Sequence, residues 1–290
     1  MSERRLLLVD GTQLFYRSFF AIRGLTTHTG EPSNAVYGFI RGIHQLIETR
    51  SPSHLVVAWD GGSPAERLAL LPEYKAQRPP MPDALKHQYE PIREFLERAR
   101  IPLVRVDHEE ADDLLASLAR WAAPDAGQVL VVTCDKDLYQ MVNTKVGMIG
   151  WGKDDKLIGR DEVFEKTGVY PWQIVDWLSL TGDTVDNIPG VEGMGPKTAS
   201  KLLAKFGSLD LLWERLSEVE PIRIREHLAA ARERVNRNRR LVTLREDLAC
   251  SPGWDAMEVK PEVPSSMRPF YARMDFHSLI KGMDQGDLFQ

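Results

Sequence analysis

The sequence predicts an α/β fold with a mostly parallel central sheet flanked by helices. Three short apolar runs indicate buried strands, and each of them ends in an aspartate: Leu6–Asp10, Leu55–Asp60 and Val129–Asp135. Strands that are apolar on both faces are typical of a parallel sheet covered by helices on both sides. Amphipathic helical patterns over 35–48 and 111–121 lie between these runs. This alternation of strand and helix favours one α/β core.

Length, charge and cysteine content limit the class of protein. The chain has 290 residues, of which 43% are hydrophobic and 27% charged, and this suits one substantial domain with a smaller lobe. The net charge of −5 does not by itself favour a nucleic-acid partner, but the acids recur in clusters, as a divalent-metal site requires. The apolar run near the amino terminus is too short for a signal peptide or a membrane span. Two distant cysteines fit a reduced cytoplasm, so we expect a cytoplasmic protein.

Two changes of pattern divide the rest of the chain. The stretch at about 65–91 is basic and rich in proline, which predicts a long excursion that leaves the core and returns near Tyr89. After Leu178 the sequence changes to short helices with glycine turns, and then to an arginine-rich helix over 221–244. The predicted units are a core over 1–178, a lobe over 179–250 and a C-terminal segment over 251–290.

Nine acidic residues form the strongest functional signal. They follow predicted strands, open the helix near Ala111 or precede the turn at 187–190, and they are Asp10, Asp60, Glu110, Asp112, Asp113, Asp135, Asp137, Asp183 and Asp186. The carboxyl ends of parallel strands share one edge, where ligands collect. Like charges gathered there repel, and Mg²⁺ or Mn²⁺ relieves this repulsion through oxygen ligands. For any single pair the alternative is a helix N-cap, but four clusters at one edge favour a site for two divalent ions.

Spacing within two of these clusters predicts orientation. Glu110 and Asp113 are three residues apart in a helix, so they are expected to share one helical face. Asp135 and Asp137 are two residues apart, so they are expected to point to one side of the sheet if the strand persists.

A glycine-rich turn, Gly190–Thr198, precedes a predicted helix. Pro196 stands where an NTPase loop would need lysine, and a helix rather than a strand precedes the turn, so nucleotide-binding motifs are excluded. Backbone amides at a helix start can hold a phosphate, and glycines allow DNA to approach closely. Lysines follow at four-residue spacing on one face; a solvated face is the alternative, but beside the acids a grip on a duplex backbone is favoured. The residues of this grip are Gly190, Gly193, Gly195, Lys197, Thr198, Lys201 and Lys205.

Several long motifs, in order, resemble the 5′-nuclease family, which comprises the nuclease domain of bacterial DNA polymerase I, stand-alone forms and flap endonucleases. The motifs are LLLVDGTQLFYRSFFA, EPSNAVYGF, YKAQRPPMP, EEADDLLASLA, TCDKDLYQ and TGDTVDNIPGVEGMGPKTASKLL. The resemblance implies a PIN-like core with a helical arch at about 65–91 and a helix-hairpin-helix lobe. It also implies a structure-specific 5′-3′ exonuclease and 5′-flap endonuclease of DNA replication and repair, associated with the nucleoid and using two metal ions.

The resemblance also implies a role for each site residue. The acids around the first metal are Asp10, Asp60, Glu110 and Asp112, and those of the second-metal side are Asp113, Asp135, Asp137, Asp183 and Asp186. Lys75 and Arg78 are expected to hold the scissile phosphate, Tyr74 to stack on an unpaired base and Arg67 to contact phosphate. Without the family match, packing for Tyr74 and solvation for Lys75 and Arg78 are the alternatives. A K⁺ ion is expected at the hairpin.

The last residues resemble a short peptide by which bacterial repair proteins bind the sliding clamp. Gln285, Leu288 and Phe289 would fill a hydrophobic pocket of the clamp, and a tail folded onto the core is the alternative. Two other functions compete with a DNA nuclease. A PIN-like ribonuclease would share the acids, although the hairpin argues for duplex DNA, and a catalytically silent DNA-binding protein would not need every acid. Neither a membrane nor more than a monomer is required.

Overall fold

A five-stranded sheet forms the centre of the protein, for which a computed structural model describes residues 4–152, 155–260 and 265–285. Its strands are β1 (Arg5–Asp10), β2 (His54–Trp59), β3 (Leu103–Arg105), β4 (Gln128–Val132) and β5 (Val146–Ile149). Neighbours pair in parallel in the order β3-β2-β1-β4-β5. The predicted parallel α/β fold is confirmed, and β3 and β5 are two strands that the sequence patterns did not predict.

Helices cover both faces of this sheet and build a lobe beyond it. They are α1 (Gly11–Ala21), α2 (Asn34–Arg50), α3 (Ala65–Leu70), α4 (Asp83–Lys86), α5 (Tyr89–Arg98), α6 (Ala111–Ala122), α7 (Arg160–Thr167), α8 (Ile174–Thr181), α9 (Pro196–Phe206), α10 (Leu209–Glu214), α11 (Ile222–Val242), α12 (Trp254–Met257), α13 (Met267–Arg273) and α14 (His277–Gln285). Short 3₁₀ helices span Lys136–Met141, Pro171–Gln173 and Leu216–Glu218. Within the described ranges, none of the helices combines the length and the apolar character needed to cross a bilayer.

The side chains of β1 divide the core into two layers. Leu7 and Val9 pack with the buried residues of α1, α2, α5 and α13. Leu6 and Leu8 point to the opposite face and pack with α6, α8, α9 and α11. This alternation follows from the two-residue period of a strand, and it explains why the run is apolar throughout.

The strands end in acids that begin the next element. Asp10 is the N-cap of α1, and Asp135 is the N-cap of the 3₁₀ helix that follows β4. Both caps place a carboxylate at the carboxyl edge of the sheet, as predicted. The condition that the strand persists to Asp137 is not met, because β4 ends at Val132 and the 3₁₀ helix begins at Lys136.

The excursion at 65–91 is only partly helical. Residues 71–82, between α3 and α4, form turns and irregular chain, so a continuous helical arch is not what the structure shows. Prolines explain this, because they cannot continue a helix. The segment nevertheless packs closely, since Leu71 and Tyr74 are buried and the Lys75 amide donates to the Asp186 carbonyl at 3.0 Å.

Beyond the core, α8 to α11 form a lobe around a small hairpin. Strands β6 (Gly182–Asp183) and β7 (Ile188–Pro189) pair antiparallel between α8 and α9. Gly190 is required there, because a Cβ atom at this position would lie 2.1 Å from the Thr181 carbonyl oxygen. Gly195 caps α9 and Pro196 is its first residue, a position that suits proline. Helix α11 closes the lobe, and its Asn238 amide donates to the carbonyls of Ser179 and Pro189.

Candidate active site

A cleft of about 580 Å³ opens at the carboxyl edge of the sheet. Four of the predicted acids line it, namely Asp10, Asp60, Asp112 and Asp135. Asp60 follows β2 directly; its amide donates to the Thr12 hydroxyl at 2.9 Å and its Oδ1 accepts from the Gly62 amide at 2.8 Å. The strand order places β1 at the centre, between β2 and β4, so three strand ends deliver aspartates to the same edge.

Asp10 is the acid at the centre of the cleft. Its Oδ1 accepts a hydrogen bond from the Gln13 amide at 2.9 Å, and its Oδ2 accepts one from the Thr133 hydroxyl at 3.0 Å. Burial, with smaller contributions from the charges of Asp135 and Asp60, raises the pKa of Asp10 to about 6 in spite of these two bonds. A carboxylate in this environment gains from a nearby cation.

Three other aspartates, Asp112, Asp135 and Asp137, also have raised pKa values, because their surroundings disfavour the charged form. Burial raises the pKa of Asp112, and the charges of Asp135 and Asp10 add to this effect. Burial likewise raises the pKa of Asp135, although the Asp137 amide, which donates to its Oδ1 at 2.9 Å, partly offsets the shift. For Asp137, burial and then the charge of Asp135 raise the pKa. Like charges are therefore held close together in a partly dry site.

Asp183 approaches this group from the hairpin. Its Oδ2 lies 2.7 Å from Nζ of Lys136, and its Oδ1 accepts from the Val185 amide at 2.7 Å. Burial lowers the pKa of Lys136, but the hydrogen bond and the charge of Asp183 outweigh this and leave it raised. Lys136 thus stays protonated and neutralises part of the acidic group.

Lys75 and Arg78 reach the acids from the excursion. Nζ of Lys75 lies 2.8 Å from Oε1 of Glu110 and 3.7 Å from Oδ2 of Asp186, and its side chain is only 11% exposed. Arg78 forms an ion pair with Asp186 and remains half exposed at the rim of the cleft. Burial lowers the pKa of Lys75, but Glu110 and Asp186 outweigh it, so the pKa is raised. Both cations are charged and border the cleft.

Tyr74 does not have the position that base stacking requires. Its ring is buried, and its hydroxyl donates to Glu110 at 3.0 Å and to Asp186 at 3.2 Å. Burial, with the charges of those two acids, raises the pKa of the phenol, which therefore remains a donor. We correct the expectation accordingly: Tyr74 orients two carboxylates, and a buried ring offers no face to a base.

Arg67 and Asp113 also differ from expectation. Arg67 is buried, with Nη1 at 2.6 Å from both Glu110 Oε2 and Asp113 Oδ2, so the predicted shared face of these acids is confirmed. Asp113 is fully buried, and its oxygens accept from Arg67 and from the Arg245 amide at 2.8 Å. Because these donors occupy it away from the cleft, the structure gives Asp113 a role other than metal ligand. Arg67 likewise has no free donor for a phosphate.

The remaining acids have the chemistry of a divalent-metal site. Within residues 4–152, 155–260 and 265–285, no three His, Cys, Asp or Glu side chains are grouped as the ligands of one ion. Lysine and arginine side chains stand between the acids instead, with Lys75 on Glu110, Arg78 on Asp186 and Lys136 on Asp183. The donors are all oxygens, several are buried, and they repel one another. This donor set fits a hard cation such as Mg²⁺ or Mn²⁺.

The lysines predicted to grip a duplex divide into two kinds. Lys197 and Lys201 are exposed on α9 beside the hairpin. The Lys205 side chain is engaged within the protein, because its Nζ donates to the Glu218 carbonyl at 2.7 Å and lies over the Phe206 ring. The exposed cationic face therefore belongs mainly to the first half of α9, next to the predicted grip residues Gly190, Gly193, Gly195 and Thr198.

Two side chains of α11 bind carbonyl groups of the glycine-rich turn that follows β7. Arg234 donates to the Gly190 carbonyl at 3.0 Å, and the His227 ring is 2.9 Å from the Glu192 carbonyl. Other arginines of α11 form ion pairs, such as Arg239 with Asp210. Of the arginines over 223–240, Arg234 is thus hydrogen-bonded to the turn, and Arg223 lies 3.7 Å from Oε1 of Glu192.

Gln13 and Tyr16 are among the cleft residues that the sequence patterns did not predict. Gln13 lines the cleft, and its Oε1 accepts from the Cys134 amide and from Nε1 of Trp151, both at 2.6 Å. Tyr16 lines the cleft beside Asp60 and is partly exposed. The signal was present, because Asp10, Gln13 and Tyr16 recur every three residues and share one face of α1. The predicted clamp residues Leu288 and Phe289, and the side chain of Gln285, lie outside the described residues.

Two family models match the chain almost end to end. The model for the N-terminal resolvase-like domain of 5′-3′ exonucleases matches residues 5–168. The model for the C-terminal SAM fold of 5′-3′ exonucleases matches residues 169–264.

Individual proteins and structures agree with these models. The chain is 36% identical over 285 residues to a 5′-3′ exonuclease of Aquifex aeolicus, covering 97% of this chain and 96% of that protein. It is 37% identical to the thermostable DNA polymerase I of Thermus thermophilus, covering 95% of this chain but only 33% of the polymerase. The bacteriophage T5 5′-exonuclease with bound zinc ions superposes with a TM-score of 0.69 at 25% identity, over 97% of this chain and 98% of that one. The catalytic core of Rad2 with a DNA substrate gives a TM-score of 0.61 at 17% identity, over 94% and 87%.

Proposed function

The chain belongs to the 5′-3′ exonuclease family, and from this premise we propose that it is a metal-dependent nuclease that degrades DNA from 5′ ends and cuts 5′ flaps. One observation carries the proposal. Four aspartates from three strand ends and the start of α6 converge on one cleft, and two cations from the excursion border it. Phosphodiester hydrolysis needs acids to hold divalent ions and cations to stabilise a phosphate, and the cleft has both.

Two Mg²⁺ or Mn²⁺ ions are the proposed cofactors. Their ligands would come from the acids that the structure gathers at the cleft and behind it: Asp10, Asp60, Glu110, Asp112, Asp135, Asp137, Asp183 and Asp186. Bound divalent ions supply an activated water and neutralise charge on the phosphate. Thr133 and Gln13 keep Asp10 oriented, and Tyr74 keeps Glu110 oriented, so the protein fixes its acids in advance.

Lys75 and Arg78 would act on the scissile phosphate. Each is now paired with an acid, Lys75 with Glu110 and Arg78 with Asp186. With these acids neutralised by bound divalent ions, Lys75 and Arg78 would be available to phosphate oxygens at the cleft. There they would stabilise the charge that develops as the bond breaks.

Duplex DNA would be held by the lobe. The hairpin amides, with Lys197 and Lys201 on the same side of α9, suit phosphate contacts that carry no sequence information. The 5′ strand then has to leave the duplex to reach the acids, and this unpairing costs a few kcal/mol, by analogy with base flipping. Frayed ends and flaps have already unpaired, and they should therefore be preferred substrates.

Other features of this proposal rest on the sequence alone, in part on its patterns and in part on the family resemblance. These are a K⁺ ion at the hairpin, binding of the C-terminal tail to a sliding clamp, a cytoplasmic and nucleoid location, a monomeric state, and the division of the chain at residues 178 and 250.

The proposal is tested by cleavage of a labelled 5′-flap duplex with Mg²⁺, beside an EDTA control. Asp135→Asn should slow cleavage by about a hundredfold or more, the order expected when stabilisation of the transition state is lost. Flap binding in EDTA should persist in this variant. Asp125→Asn, at an exposed loop before β4, is the matched control and should cleave like the wild type. A wild type that binds flaps but never cleaves them would instead indicate a catalytically silent binding protein.

A further inference from the structure

The Arg67 guanidinium is saturated by two separate parts of the chain, the start of α6 and the end of α11. It lies in α3, at the start of the excursion, and only 5% of the residue is exposed. Nη1 donates to Glu110 and Asp113 at 2.6 Å each, and Nη2 donates to Asp113 at 2.8 Å. Nε donates to the Leu241 carbonyl at 3.0 Å and Nη2 to the Thr243 carbonyl at 3.2 Å. All five N–H donors of an arginine are thus used.

These contacts join the lobe to the active site. Leu241 and Thr243 are at the end of α11, the helix that also holds the hairpin through Asn238 and Arg234. Glu110, at the other end of the network, contacts Lys75 at 2.8 Å. Arg67 is the side chain that bonds directly to both Glu110 and the end of α11.

Neighbouring ion pairs strengthen the same connection. Arg240 of α11 pairs with Glu66 of α3 at 2.9 Å. Arg245, just beyond α11, pairs with Glu109 at 2.7 Å, and its amide donates to Asp113 at 2.8 Å. The end of α11 is thereby fixed to α3 and to the start of α6 by side chains of both signs.

We propose that Arg67 is a positioning residue. Asp113 and the end of α11 fix its guanidinium, and the guanidinium in turn holds Glu110 in place. The position of the lobe on the core therefore sets the geometry of the acids. The inference rests on the proposed function, because Glu110 is one of the acids that would hold a metal ion. Asp113 serves the network as the counter-charge that fixes the guanidinium plane, since a bidentate carboxylate defines that plane. A lysine cannot replace it, because an ammonium has neither the planar fork nor five donors.

Two variants test this role, Arg67→Lys and Asp113→Asn. Arg67→Lys keeps the charge but loses the fork, and Asp113→Asn keeps the shape but loses the charge. Arg98→Lys is the matched control, because Arg98 also joins a carboxylate, Glu94, to a backbone carbonyl, that of Ser266, but does so on α5. Thermal unfolding of each variant shows whether it is folded; if Arg67→Lys does not fold, Asp113→Asn decides.

Three measurements separate positioning from phosphate contact. Flap-duplex affinity in EDTA, with its salt dependence, should stay within twofold of the wild type. The single-turnover cleavage rate should fall at least tenfold, and the Mg²⁺ concentration at half-maximal rate should rise severalfold. Binding of Mn²⁺ followed by electron paramagnetic resonance, which needs no turnover, should weaken in parallel. The control should match the wild type in all three.

Two results would overturn the inference. Unchanged rates and unchanged Mn²⁺ binding in both variants would show that Arg67 does not position the acids. A loss confined to DNA affinity, with a salt slope reduced by about one, would show that Arg67 contacts a DNA phosphate instead. Neither result would contradict the proposed function, which fails only if the wild type itself does not cleave.

Discussion

At the scale of the residue, the site is a set of carboxylates whose ionisation the fold opposes. Asp10, Asp112, Asp135 and Asp137 all have raised pKa values, with burial as the largest cause. Without a cation, such an arrangement lowers the stability of the folded protein. Perturbed pKa values of this kind are typical of functional sites, such as those that bind metal ions. The neighbouring lysines and arginines reduce the cost in stability without removing it.

For Asp10, this cost can be measured as a change in the free energy of unfolding with pH. The unfolded chain loses the proton near 3.8, whereas the folded chain keeps it up to about 6. Ionisation therefore favours the unfolded state, and without metal the free energy of unfolding should fall as pH rises from about 4 to about 6 and change little above. Asp10→Asn should stabilise the metal-free protein at pH 7 by up to about 3 kcal/mol, at about 1.4 kcal/mol per pKa unit.

Denaturant unfolding in EDTA at pH 4 and pH 7 measures this effect, with Asp125→Asn as the exposed control. The variant should also lose cleavage, so stability and activity change in opposite directions. An Asp10→Asn protein that is less stable than the wild type at pH 7 would show that the Gln13 and Thr133 bonds outweigh the ionisation cost.

The sequence predicted the acids better than their partners. Asp10, Asp60 and Asp135 stand at strand ends, a local pattern that the sequence displays directly. Arg67 could not be placed in the same way, because Leu241, which accepts from it, is 174 residues away. The burial of Tyr74 likewise depends on Asp186, which a distant hairpin supplies.

At the scale of the element, the hairpin between α8 and α9 depends on close backbone contact. A Cβ atom on Gly190 would lie 2.1 Å from the Thr181 carbonyl oxygen, whereas one on Gly195 would meet nothing within 4 Å. Both residues were predicted from the same glycine-rich turn, yet only the first is sterically required. The strand pairing of β6 and β7 explains the difference, because it brings the two chain segments together at Gly190.

Gly190→Ala should therefore lower the melting temperature by roughly 2–5 °C, since overpacking costs about 1–3 kcal/mol and the unfolding entropy of a chain of this size is about 0.6 kcal/mol per degree. Gly195→Ala should leave the melting temperature close to that of the wild type, because its cap conformation is an ordinary extended one. Differential scanning calorimetry of the two variants makes the comparison. Equal melting temperatures would mean that the hairpin relaxes without cost.

Short elements are where the sequence patterns failed. Strand β3 has three residues and ends in the exposed Arg105, so it has too little apolar alternation to be noticed. Strand β5 contains Gly147, a residue that is disfavoured in strands. Both strands are specified by pairing with a longer neighbour and not by their own composition. The longer runs, β1, β2 and β4, were apparent because they are buried on both faces.

At the scale of the whole molecule, an acidic protein is proposed to bind an acidic polymer. The net charge is −5, with 37 basic and 42 acidic residues. Four acids line the cleft, where metal ions would neutralise them, while Lys197 and Lys201 are exposed on the lobe. Local charge and not the net value therefore decides affinity for DNA.

The double variant Lys197→Ala, Lys201→Ala should weaken duplex binding and lower the salt slope by about two, because each phosphate contact contributes about one released counterion. Fluorescence anisotropy at several salt concentrations, in EDTA, measures both quantities. Lys145→Ala is the control, since Lys145 lies before β5 at the opposite edge of the sheet and binds backbone carbonyls. An unchanged slope in the double variant would remove α9 from the DNA interface.

The contact between the excursion and the hairpin has an evolutionary consequence. The family models divide the chain after residue 168, yet Val185 lines the cleft together with Asp10, and the Lys75 amide bonds to the Asp186 carbonyl. The boundary that is visible in sequence thus passes through a site that neither half completes. Recombination at this boundary would join halves whose facing surfaces had diverged separately, so the two modules have to be inherited as one.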